Sequence, residues 1–76
     1  MKRADIQQAL QKQVVEGAVV GHRWEGVKRM FDAACLENNG QEADKLRFEL
    51  HAILDAMLDN SATTLMLTRQ MMNSRE

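Results

Sequence analysis

The 76-residue sequence predicts an all-α fold, an antiparallel hairpin of two long helices that self-associates into a four-helix-type bundle. Three observations lead there. Proline is absent, so no residue forbids a long helix. Ala, Leu, Met, Gln, Glu, Lys and Arg dominate, and these are the stronger helix formers. Aromatic residues are few, and the β-branched ones do not alternate as in a strand. The strongest punctuation, Glu37-Asn38-Asn39-Gly40, falls near the middle. Two asparagines and a glycine suit a left-handed C-cap and a turn at 38–40.

The first arm carries one stripe in alternating steps of four and three: Ile6, Leu10, Gln13, Gly17, Val20, Trp24, Val27, Phe31 and Ala34. The second carries Ala43, Leu46, Leu50, Ile53, Met57, Asn60, Thr64, Leu67 and Met71. Seven of nine positions are apolar in each, so the two arms are matched heptad seams. At about 1.5 Å per residue each arm is roughly 50 Å long. The whole chain, 1–76, reads as a single helical domain.

The polar interruptions of the two seams coincide. Folding the chain about residue 39 brings Gln13, Gly17, Asn60 and Thr64 to one level, a polar layer of the kind that sets register in coiled coils. Two readings of the first arm stay open. Gly17 and Gly21 each cost a helix roughly 1 kcal/mol, which favours a kink or break near 17–21 and three helices. The stripe keeps its phase through both, which favours one helix.

The second arm is apolar over a wider arc than one seam needs. Leu54, Leu58, Leu65 and Met72 flank the seam, and with Met71 they are assigned to dimer or core contacts. One strip packs on the first arm, and the flanking strip calls for a second copy. A chain this short also buries only about 60% of its unfolded surface, so its core needs support. Disulfides cannot supply it, because Cys35 is the only cysteine. A lone thiol fits a reducing compartment, and cytoplasmic localisation is expected.

The charges, 10 basic and 11 acidic residues, are interspersed and sum to −1, which gives no bulk attraction to nucleic acid. No apolar run is long enough to span a bilayer, and the first residues do not read as a signal peptide. His22 with Glu25, and His51 with Asp55, share helix faces, but two separated pairs do not make a four-ligand site. No metal and no cofactor is expected. Cys35, at the edge of the stripe, reads as a buried structural cysteine. No paired carboxylates, nucleophile elbow or phosphate loop occurs, and Gly17, Gly21 and Gly26 lack the dinucleotide spacing. No catalytic residue is assigned, and an enzyme is not expected.

The segment Gly21–Phe31 holds the one tryptophan among Arg23, Lys28 and Arg29. Trp and Arg are enriched at binding hot spots. Arg23 and Trp24, together with Phe48 and Met66 on the outer side of the second arm, are the candidate protein-interaction residues. Trp24 also lies on the seam and reads as core. Trp24-Glu25-Gly26 resembles the W-x-G of a family of small secreted helical hairpins over three residues. There the motif marks the turn between arms, whereas here the turn signal is at 38–40. A dimerising hairpin is also similar in architecture to the RNA-binding copy-number regulators of enteric plasmids, with no shared motif. The function expected is protein–protein interaction by a small homo-oligomer with an unidentified protein partner. It would be an adaptor, a chaperone, or an inhibitor or anti-activator of a larger protein, as phages and other mobile elements encode. The alternative is a nucleic-acid-binding regulator on the same dimeric hairpin. Lys12 and Arg23 share one flank for that role, but Glu16 lies between them.

Overall fold

Two helices of equal length account for nearly all of the chain. In a computed structural model that describes residues 2–74, α1 spans Arg3–Leu36 and α2 spans Gly40–Asn73, 34 residues each. The ends of the predicted domain, Met1, Arg75 and Glu76, lie outside the described residues. The helices pack against each other in an antiparallel hairpin with principal extents of 57 × 14 × 12 Å, a single layer two helices wide. No helix among the described residues is long and apolar enough to cross a membrane.

α1 runs unbroken through Gly17 and Gly21, so the three-helix alternative gives way to two. The helical cost of Gly17 has a local use. A Cβ at that position would stand 3.0 Å from the Asn60 Oδ1 atom, so glycine is what lets the Asn60 side chain lie against the α1 backbone.

The turn differs by one residue from the sequence expectation, occupying 37–39. Asn38 takes the left-handed conformation (φ 56°), and no glycine does. The Asn39 N–H donates to Ala34 O (2.9 Å) and the Asn38 N–H to Cys35 O (3.2 Å). These are the two bonds of a Schellman motif with Asn38 at C′. Asn39 then caps α2: its Oδ1 accepts from the Glu42 N–H at 3.2 Å. Gly40 is therefore the first residue of α2 rather than the pivot of the turn. Asn39 and Glu42 have the spacing of a capping box, and Glu42 also places negative charge in the first turn.

All eighteen predicted seam positions are buried or half-buried. Among the described residues the buried set is small: Ile6, Ala34, Leu46, Leu50, Ile53 and Leu67, with Ile6 and Ile53 at 1% and 2% exposure. Four of these six lie in the half of the hairpin nearer the turn. Cys35 is a correction. It is exposed, because it stands one residue past Ala34, beside the seam in the last turn of α1, where neither helix covers it.

Candidate interaction surface

The polar layer is built around one amide. Asn60 Nδ2 donates to both the backbone carbonyl and the Oε1 of Gln13, each at 2.9 Å, across 47 residues of chain. The same side chain lies over Gly17. Thr64 turns its hydroxyl back onto its own helix, donating to Asn60 O at 2.8 Å, and Thr68 repeats this onto Thr64 O at 2.7 Å. The layer is part-buried, and no described buried side-chain polar atom lacks a partner.

Each broad face of a two-helix layer is open to solvent, and the two faces differ. One carries a groove of about 440 Å³, lined among others by Glu16, Val19, Val20, Ala56, Asp59 and Thr63. Small residues on α2, Ala56 and Thr63, leave the space. Charges rim it, and Lys12 and Glu16 pair along this face at 3.8 Å. That pair is exposed and contributes little.

Because Glu16, Ala56 and Thr63 share this groove, the residues flanking the seam on its other side share the opposite face. These form a second stripe in steps of four and three. On α2 it runs Leu54, Leu58, Ser61, Leu65, Thr68 and Met72; on α1 it runs Gln7, Gln11, Val14, Ala18 and Gly21. None is charged. Leu58, Leu65 and Met72 are 61%, 53% and 79% exposed, and Leu54 and Val14 are exposed too. Toward the turn the same stripes become charged, with Glu25, Lys28 and Asp32 on α1 and Asp44 and Arg47 on α2. Asp44 and Arg47 pair at 3.3 Å.

Of the residues assigned to dimer or core contacts, Met71 is half-buried on the seam, whereas Leu54, Leu58, Leu65 and Met72 are exposed in the single chain. The four candidate interaction residues do not form one patch. Trp24 is half-buried on the seam and Arg23 is exposed beside it. Phe48, 74% exposed, stands on the outward side of α2 beside Arg47 and His51. Met66 is exposed farther along the same helix. Sequence reasoning misses the uncharged continuation of the stripe onto α1 through Val14, Ala18 and Gly21. The four-three spacing carries the signal, but these small residues are too weakly apolar to stand out. Among the described residues no group of three or more His, Cys, Asp or Glu side chains is placed to hold a metal ion. Comparison with known proteins adds no relative: no family model, curated protein or solved structure matches the chain.

Proposed function

We propose that this chain is a helical interaction module that self-associates and acts by binding another protein, as an adaptor, a chaperone, or an inhibitor of a larger protein. The reading rests on one observation. Among the described residues eleven large apolar side chains are exposed, against six residues that are buried. Scattered apolar surface is ordinary, but here much of it is ordered along helical stripes, the form in which amphipathic helices meet partner helices and grooves. The work is done by occlusion or bridging rather than by bond chemistry.

Phe48 and Met66 are the outward-facing pair available to the partner. They are eighteen residues apart, roughly 27 Å along α2, so one extended partner can reach both. The test starts from a protein that tagged wild-type chain retains from its native cell, once identified and purified. Replacing Phe48 and Met66 together by Gln should leave helicity, melting temperature and oligomer mass unchanged and weaken the measured Kd at least tenfold. If the Kd is unchanged, the partner surface lies elsewhere, around Arg23 and Trp24. If no protein binds the wild-type chain at all, the interaction reading fails.

A further inference from the structure

We infer that the uncharged face formed by Leu54, Leu58, Leu65 and Met72 of α2 with Val14 and Ala18 of α1 is closed by a second copy of this chain, making an isologous dimer. The inference rests on the interaction reading and names the first partner within it.

Area carries the argument. The chain exposes 6014 Å². A folded monomer of its 8.7 kDa mass exposes about 4,700 Å². The excess, about 1,300 Å² per chain, has a plain cause: two helices in one layer have no second layer to cover their broad faces. An obligate homodimer hides about 1,000–2,500 Å² per subunit, so one dimer interface removes the whole excess. Closing one broad face of each hairpin against the other is the four-helix arrangement that does this.

Charge selects the face. In an isologous contact the same patch meets itself, so a charge near the two-fold axis meets its own copy. The groove face carries Lys12, Glu16, Arg23 and Asp59 and is poorly suited to that. The opposite face carries no charge from Gln7 to Gly21 on α1 or from Leu54 to Met72 on α2. It is compatible with itself and has the heptad spacing that lets knobs enter the partner's holes. It is also confined to the half nearer the chain ends. The contact therefore centres there and leaves the turn end outside.

Sedimentation equilibrium and light scattering at micromolar concentration should give twice the chain mass. The melting temperature should rise with protein concentration, as it does when folding is coupled to association. Leu58→Glu with Leu65→Glu should halve the mass or, because monomer and dimer stability are linked, unfold the chain. Val15→Glu with Val19→Glu, also at exposed positions and lining the groove, should leave the dimer intact. A wild-type mass of one chain overturns the inference. So does a dimer that survives the Leu58/Leu65 pair, or one dissolved by the Val15/Val19 pair alone. Partner binding by a monomeric wild-type chain would overturn this inference and the self-association in the proposed function, and leave standing that the chain acts by binding another protein.

Discussion

Between the turn and the level of Trp24 and Ile53, the helices meet through an apolar seam, and charged residues flank it. Ala34, Leu46, Leu50 and Ile53 are buried there, while Glu25, Lys28, Asp32, Asp44 and Arg47 stand to one side. Beyond that level the pattern inverts. The seam carries Gln13, Gly17, Asn60 and Thr64, with Ile6 and Leu67 buried toward the open end, and the flank becomes uncharged. In the turn half the seam is apolar throughout and charges flank it, while Met30, Leu36 and Phe48 stand exposed away from the seam. The open half has exchanged these roles. It gives seam positions to a polar contact that fixes register, and it leaves apolar side chains facing out.

Three sets of substitutions probe that contrast, the largest effect first. Ile53→Ala removes the best-buried side chain of the turn half and should destabilise by about 2–5 kcal/mol in urea unfolding. A cost below about 1 kcal/mol would mean that the turn half is not the stable part. Glycine gives a paired comparison. At Gly26, in the turn half, an alanine methyl would meet nothing within 4 Å. Gly26→Ala should therefore stabilise by about 1 kcal/mol through helix propensity. Gly17→Ala should recover much less, because its Cβ meets Asn60 Oδ1 at 3.0 Å and the amide has to move. Equal gains in melting temperature at the two sites would show that the Asn60 contact carries no energy. Smallest is Asn60→Leu, which keeps the branching at Cγ and loses both bonds to Gln13. A part-buried hydrogen bond has a modest net value, and Gln13 Oε1 can return to water. The melting temperature should rise by a few degrees, a change of under about 1 kcal/mol in a domain of this size, while register loosens. A loss of more than about 1 kcal/mol would make Asn60 a net contributor to stability.

The seam is the most legible feature in the sequence, since every position that the four-three spacing marks is buried or half-buried. Such periodicity reports burial directly, because an antiparallel helix pair has only one way to face its partner. The turn is legible in place but not in detail. Gly40 is the usual left-handed residue, yet the asparagine cap on Glu42 places it inside α2 and passes that conformation to Asn38. Cys35 departs from expectation because a residue next to a stripe is covered only if another element lies over it, and at the end of α1 none does. Gly17 is legible as the one glycine on a seam, level with Asn60, but that its bare Cα gives the Asn60 amide its place is seen only in the structure. Partner identity leaves no comparable trace, because an outward apolar side chain records that something can bind and not what does.

The three-residue turn also gives the hairpin a direction of assembly. Ala34 and Ala43, which line one hollow beside the turn, are nine residues apart, whereas Gln13 and Asn60 are separated by 47. The entropy of closing a loop grows with the logarithm of its length. Contacts next to the caps therefore form at the least cost, and each one shortens the loop left for the next. On loop-closure entropy alone, pairing is least costly beside Asn38 and Asn39 and grows outward, so the polar layer around Asn60 would be met after the apolar turn half, when the helices already lie side by side.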